Sequence, residues 1–234
     1  AFVKTKSKEL LVNTDLLVEN THFTQETISP KDLGWKAITT NLSDLISSGC
    51  DEIIGVKIGL ILNRETEWIW IDELYEGINL ALNKFGGTII GGDCSRGLEN
   101  AIAITAFGNQ GKLLLRRYLS SPEDIILTTG IHGLSKLGLE ISQNKIFNKE
   151  ILNQSSLIND SLDAFCRPEP KPHILKKIAK CRNKNQKLQI GCTDSSDGLY
   201  QAVLDLAMES RCKAFIDYSK IPKHKFWPIG KKWD

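Results

Sequence analysis

"TIIGGDCSRG", residues 88–97, runs three β-branched residues into two glycines, an aspartate and, three residues later, an arginine. Thr88, Ile89 and Ile90 favour an extended backbone, because a branched Cβ fits a pleated surface. Gly91 and Gly92 then open conformations closed to other residues. Two readings compete. In a hairpin, the Gly-Gly or Gly-Asp pair would take the tight turn and Asp93 would be a solvated turn residue. In the other, a stiff strand carries an aspartate across a Gly-Gly hinge. The segments on either side decide between them.

Upstream, "IIGVKIGLIL" (53–62) alternates Ile54, Val56, Ile58, Leu60 and Leu62 with Gly55, Lys57 and Gly59, which predicts a strand. Between it and the quoted run, "ETEWIWIDELYEGINLALNKFG" (65–86) predicts a long helix ending at Gly86 and Gly87. Strand, helix and strand in that order favour the second reading. Further upstream, "ELLVNTDLLVE" (9–19) has a strand's composition, and a helix is expected over 30–48. Ser29 caps that helix, Pro30 suits its first position, Asp32 completes a capping-box-like pattern and Gly49 ends it. Leu33, Ala37, Leu42, Leu45 and Ile46 form its apolar face. Downstream, "NAIAITAFG" (100–108) predicts another strand, and the loop "RRYLSSPED" (116–124) marks a boundary between two lobes.

Beyond that loop the pattern predicts strands at "IILTTG" (125–130), "KLQIGC" (187–192) and "CKAFIDY" (212–218). Helices are expected at "HGLSKLGLEI" (132–141), "HILKKIAKC" (173–181) and "SDGLYQAVLDLAMES" (196–210), with three prolines breaking the chain at "CRPEPKP" (166–172). The fold class is mixed α/β in two lobes.

Charge gives no handle on a macromolecular partner. Thirty basic residues face 28 acidic ones over 234 residues, which offers no general argument for nucleic acid or an anionic membrane. No apolar run approaches the roughly 18 residues of a membrane span. The six cysteines (Cys50, Cys94, Cys166, Cys181, Cys192, Cys212) form no C-x-x-C pair and no zinc spacing, so a reduced, cytoplasmic protein is the simplest expectation. The chain lacks an initial methionine, and both ends read as interrupted, as in a fragment.

The common nucleotide and hydrolase motifs are absent: no G-x-x-x-x-G-K-[ST], no G-x-G-x-x-G after a strand, no H-E-x-x-H and no G-x-S-x-G. What recurs is aspartate at the ends or turns of apolar segments: Asp15, Asp44, Asp93, Asp194 and Asp197. If rigid elements bring them together, their mutual repulsion calls for a cation. Mg²⁺ suits an all-oxygen set and usually bridges carboxylates to substrate phosphates. Each also has an ordinary structural reading: Asp15 as a turn residue, Asp44 as an exposed mid-helix charge, Asp197 as a helix N-cap.

Taken together, "NTDLLVENTHF" (13–23), "DLGWKAITTNLSDLISSG" (32–49), "IIGGDCSRG", "LRRYLSSPEDIILTTGIHGLSKLGLE" (115–140), "RPEPKP" and "DSSDGL" (194–199) resemble successive signature segments of the thiamine-monophosphate kinase family. That family is related to the aminoimidazole ribonucleotide and selenophosphate synthetases. The resemblance runs in order from about residue 10 to residue 222, and "NLSDL" with the upstream "THF" carries its specificity. It implies Mg²⁺-dependent transfer of the ATP γ-phosphoryl group to thiamine monophosphate, giving thiamine diphosphate and ADP. By motif position it implies Thr14, Asp15, Asp44, Asp93, Asp194 and Asp197 as metal ligands. Tyr75, Gly92, Asp93, Arg117 and Ser196 match nucleotide contacts, and His22 matches a substrate contact. Arg117, Asp93 and Asp197 would be central to catalysis, with Arg116 able to exchange roles with Arg117. For Tyr75 and His22 the alternatives of a core or rim tyrosine and of a packed or solvated histidine stand beside these roles.

The resemblance further implies an N-terminal ATP- and magnesium-binding domain (1–118) whose sheet pairs with a second copy into a dimeric β-barrel. A C-terminal ferredoxin-like α/β lobe (119–234) would follow, incomplete here. Three positions depart from the family's pattern: Glu123 replaces a glycine, Asn13 a small hydroxyl residue and Lys171 an arginine. Family segments bearing further ligands would precede Ala1 and follow Asp234, so the chain as given is expected to fold and dimerise but turn over poorly. Another synthetase of the superfamily, or a non-catalytic remnant, are the alternatives.

Overall fold

The run at 88–97 is an edge strand. It lies parallel to the strand two elements before it, with Ile58 opposite Gly92 and Gly59 opposite Asp93. The hairpin reading therefore fails, and the glycines serve close approach: a Cβ on Gly92 would sit 2.0 Å from the Ile58 carbonyl oxygen. The structure is a computed structural model that describes residues 9–146, 148–180 and 189–227. It divides into two units, the first comprising Ala1–Ile46, Cys50–Gly111 and Cys166–Pro170, the second Ser47–Gly49, Lys112–Phe165 and Lys171–Asp234.

In the first unit the order is β1 (Leu10–Val18), α1 (Pro30–Ser47), β2 (Cys50–Leu62), α2 (Trp68–Phe85), β3 (Ile89–Arg96) and β4 (Ala101–Gln110). The sheet order is β1-β4-β2-β3. β4 is antiparallel to both neighbours, and only the β2–β3 pair, joined through α2, is parallel. Val56, Ile58 and Leu60 of β2 and Ile102, Ile104 and Ala106 of β4 are buried. So are Leu33, Ala37, Ile38, Leu42, Leu45 and Ile46 of α1, and Leu74, Ile78 and Ala81 of α2. The first turn of α1 is capped as its sequence predicts, with Asp32 N–H donating to Ser29 Oγ at 3.1 Å.

Two glycines set how closely the helices approach. A Cβ on Gly34 of α1 would lie 2.0 Å from Leu74 O, and one on Gly77 of α2 would lie 1.8 Å from Lys31 O. The two backbones are in direct contact. Residues 167–169 are fastened to the same helices: Arg167 pairs with Asp32, Trp35 Nε1 donates to Pro168 O at 3.0 Å, and Lys84 pairs with Glu169. On the far face of the sheet Val12, Leu16 and Ile61 are exposed.

The second unit contains β5 (Leu114–Arg116), α3 (Leu134–Ser142), α4 (Lys149–Leu152), α5 (Ser155–Cys166), α6 (Pro172–Lys180), β6 (Gln189–Gly191) and α7 (Leu199–Glu209). β5 and β6 form a parallel two-stranded sheet. The strands expected at 125–130 and 212–218 are not formed. Both segments have strand composition, but among the described residues no neighbour supplies a ladder, and Ile125, Leu127 and Phe215 are more than four-fifths exposed. Composition proposes a strand, and only a hydrogen-bonded neighbour makes one. The helix expected over 173–181 is formed over Pro172–Lys180, and Cys181 lies outside the described residues. Cys50, Cys94, Cys192 and Cys212 are free thiols.

Glu123 stands at φ +73°, where a side chain is strained. It is the third residue of a turn in which Asp124 N–H donates to Ser121 O at 3.2 Å and Ser121 N–H to Asp124 Oδ2 at 2.7 Å. Pro122 at the second position and a positive φ at the third are the requirements of a type II turn, whose preferred third residue is glycine. Glu123→Gly is expected to raise the unfolding free energy by about 1 kcal/mol, since relief of left-handed strain of ~1–2 kcal/mol outweighs glycine's greater chain entropy. Urea unfolding with an unchanged m-value checks this.

Candidate active site

Alternation along β1 sorts its polar residues onto two faces. Asp15 is in register with buried Ile104 and so points to the helical side. Thr14 points to the open side, where its Oγ1 lies 3.0 Å from Thr105 Oγ1. Asn13, on the helical side, donates from Nδ2 to Asp44 Oδ2 at 2.7 Å and to Asn41 Oδ1 at 3.3 Å. Asp44 is thus a half-buried carboxylate held against β1. One departure from the family pattern, Asn13, touches one of the expected ligands directly. Asp15 follows it by one pleat repeat, roughly 7 Å, on the same face.

Asp93 does not join them. Its in-register partner Gly59 pairs with Ala103, which pairs with Leu16, and Asp93 lies with Leu16, Gly59, Ile61, Ser95 and Ala103 around a shallow depression on the open face. Tyr75, on α2, is half-buried, and burial together with the nearby Cys94 thiol raises its pKa. Cys94 alternates with Asp93, so Tyr75 stands on the helical side.

His22 follows β1 in a tight turn. Its backbone N–H donates to Val18 O at 2.8 Å, and its Nδ1 accepts the Val18 N–H at 3.1 Å. In the neutral ring the proton is therefore on Nε2, which makes His22 an outward-facing donor.

The second unit carries the other expected residues. Arg117 opens a 3₁₀ turn, Arg117–Leu119, whose first carbonyl accepts from Ser210 Oγ at 2.8 Å. Its Nε donates to Thr193 Oγ1 at 3.2 Å and its Nη1 lies 3.9 Å from Asp205 Oδ2, with over half of the side chain exposed. Arg116 is engaged differently, donating from Nη1 to Ser48 O at 2.9 Å and to Leu115 O at 2.7 Å. Asp194, next to Thr193, accepts from Ser196 Oγ at 2.5 Å. Asp197 is exposed and is not the N-cap of α7; Gly198 takes that position at φ +98°.

Among the described residues no group of three or more His, Cys, Asp or Glu side chains forms a ready metal cage. The Asp15 and Asp44 carboxylates still match what Mg²⁺ asks of a protein, since one or two carboxylates suffice when waters and substrate phosphates complete the shell. Asp93 is excluded from that pair by the sheet itself. Sequence reasoning gave no sign of the faces, because they depend on register. It also missed Asn13 as an Asp44 partner, although the departure at that position was the signal.

A family model described as AIR synthase related protein, N-terminal domain, matches residues 1–109. The thiamine-monophosphate kinase of Prochlorococcus marinus is 43% identical over 234 residues, covering all of this chain and 70% of that relative. The solved thiamine-monophosphate kinase of Stenotrophomonas maltophilia K279a superposes with a TM-score of 0.78 at 26% identity, over 93% of this chain and 66% of that one. AaThiL complexed with AMPPCP and TMP superposes with a TM-score of 0.75 at 26% identity, over 89% of this chain and 63% of that one. The chain thus spans about two thirds of the length of the proteins it matches.

Proposed function

From a chain that belongs to the thiamine-monophosphate kinase family, we propose the family's reaction: Mg²⁺-dependent transfer of the ATP γ-phosphoryl group to thiamine monophosphate, yielding thiamine diphosphate and ADP. The observation that carries the reading is the Asp15–Asp44 pair, two carboxylates on one face of the sheet with Asp44 anchored by Asn13. The AMPPCP and TMP bound by the structural relative supply the two substrate classes.

The acceptor is already an anionic phosphate oxygen, so the reaction needs no strong base; positioning and charge neutralisation suffice. Asp15 and Asp44 would hold Mg²⁺, which when bound neutralises phosphate charge. Arg117 offers a planar donor fork to the transferred group, with Thr193 orienting it. His22 offers Nε2–H to the acceptor. Gly92 lets backbone come close to the nucleotide, Tyr75 lies beside that strand, and Ser196 steadies Asp194. Thr14 and Asp93, on the open face, serve a second ion or the nucleotide rather than the Asp15–Asp44 ion; Asp194 and Asp197 are the metal ligands proposed within the second unit. Residues 1–118 act as the nucleotide and magnesium domain, and residues 119–234 belong to a ferredoxin-like lobe. The exposed Val12, Leu16 and Ile61 suit pairing of the open face with a second copy.

The two adjacent arginines test the reading. Arg117→Lys is expected to lower kcat at least tenfold with little change in ATP affinity, since lysine keeps charge and loses the fork. Arg116→Lys is expected to act on stability, because its donors go to Ser48 and Leu115 carbonyls. Equal, mild effects on steady-state rate at both positions would make them ordinary surface charges.

A further inference from the structure

We propose that Glu19 and Asn100 are positioning residues that fix the ring of His22 for the acceptor. This rests on the reading that His22 meets the acceptor. Glu19 is the last residue before the His22 turn, and it is buried, with 8% of its surface exposed. Asn100 precedes β4 and is fully buried. The two bind each other reciprocally: Glu19 N–H donates to Asn100 O at 2.9 Å, and Asn100 N–H donates to Glu19 Oε2 at 3.1 Å. Backbone and side chain of Glu19 are thereby both held by one residue.

Two further side-chain oxygens, Glu19 Oε1 and Asn100 Oδ1, tie in the neighbouring segments. Glu19 Oε1 accepts from Gln25 Nε2 at 2.8 Å, on the far side of the turn. Asn100 Oδ1 accepts from Asn63 N–H at 3.0 Å and from Thr66 Oγ1 at 2.7 Å, both in the loop between β2 and α2. Between them, Asn20 sits at φ +60°, its N–H donating to Phe23 O at 2.8 Å and its Nδ2 to Glu99 Oε1 at 3.1 Å. The exits of β1 and β2 and the entry to β4 meet in one knot.

The consequence falls on His22. Its Nδ1 can accept the Val18 N–H only while the turn keeps its hand, and that contact makes Nε2 the donor. A carboxylate receiving two N–H bonds holds the turn more tightly than a neutral side chain would. Removing it leaves buried donors unpaired, which costs more than the bonds themselves are worth. The turn would then sample other shapes, and the ring would lose its single tautomer.

The test combines imidazole ¹⁵N spectroscopy of the chain with calorimetric titration of thiamine monophosphate in the presence of Mg²⁺ and AMPPCP. In the unmutated chain His22 should show a hydrogen-bonded, unprotonated Nδ1 and a protonated Nε2. Glu19→Ala and Asn100→Ala should move both signals toward those of a solvated ring, with Glu19→Gln between. Glu19→Ala should weaken thiamine monophosphate about tenfold, equivalent to ~1.4 kcal/mol, and leave AMPPCP affinity unchanged. If both alanine variants fold and keep the His22 signals, the inference is overturned. If they do not fold, amide exchange in Glu19→Gln decides, and retained protection at His22 and Asn63 overturns it. His22→Ala separates the two layers: unchanged binding of thiamine monophosphate there removes the reading of His22 itself, whatever Glu19 does.

Discussion

Gly77→Leu is expected to cost at least about 3 kcal/mol of stability, the upper part of the range for overpacking. Two terms oppose each other at this position. Leucine favours the helix over glycine by up to ~1 kcal/mol, which by itself would stabilise α2. A Cβ, however, would lie 1.8 Å from Lys31 O and 2.7 Å from Lys31 C, and these are backbone atoms of α1 that no rotamer change can move. The helices would have to part by well over an ångström, uncovering Leu33, Leu74 and Ile78, all of them buried. The clash therefore wins. Against a total of roughly 5–15 kcal/mol for a domain, such a loss is large. Gly34→Ala should behave in the same direction from the other helix, since its Cβ would meet Leu74 O at 2.0 Å. Thermal unfolding compared with Asn79→Leu, at an exposed position of the same helix, checks the claim; equal melting temperatures for Gly77→Leu and the unmutated chain would refute direct backbone contact.

Asp44→Asn is expected to weaken magnesium-dependent nucleotide binding more than tenfold, above ~1.4 kcal/mol. The substitution keeps an oxygen able to accept the Asn13 hydrogen bond, so it removes the charge with little change in shape. Asp15→Asn should act similarly. Calorimetry with AMPPCP in magnesium and in excess chelator measures both. Nucleotide affinity that ignores both the substitution and the chelator would show that the pair holds no ion. An affinity change without loss of metal dependence would move the role to Asp93 or to the second unit.

Much of the first unit was legible because its signals are local. Ser29, Pro30 and Asp32 announce the start of α1, and the spacing of Leu33, Ala37, Leu42, Leu45 and Ile46 gives its buried face. Gly34 and Gly77 were not legible as contacts. In a single sequence a helical glycine reads as a weakness, and only the neighbouring helix shows why no larger residue fits. The carboxylates Asp15, Asp44 and Asp93 could be named from their motifs, yet not placed. The face of Asp93 is set by its pairing with Gly59, and a register irregularity between Val56 and Lys57 intervenes. One more or one fewer residue there would reverse it.

Arg116 and Arg117 show the same limit at a single step along the chain. Both are arginines in one motif, but the first is turned to the Ser48 and Leu115 carbonyls and the second to Thr193. In the second unit, Ile125–Leu127 and Phe215–Ile216 carry strand composition without a ladder, since a strand's partner is a non-local fact. Glu19 and Asn100 left no mark in the sequence reading, because a buried carboxylate and amide look like ordinary loop residues until their bonds are seen.

The claim at the centre is phosphoryl transfer to thiamine monophosphate, and ³¹P spectroscopy of the reaction tests it most directly. The protein to use is a chimaera in which the flanking segments of the Prochlorococcus marinus relative extend this chain to that relative's full length, since the two align over all of this chain and 70% of the relative. With ATP, Mg²⁺ and thiamine monophosphate, thiamine diphosphate and ADP should appear in equal amounts, and chelator should stop both. A folded chimaera that binds AMPPCP yet releases only ADP and inorganic phosphate, or makes nothing, would contradict the proposed reaction.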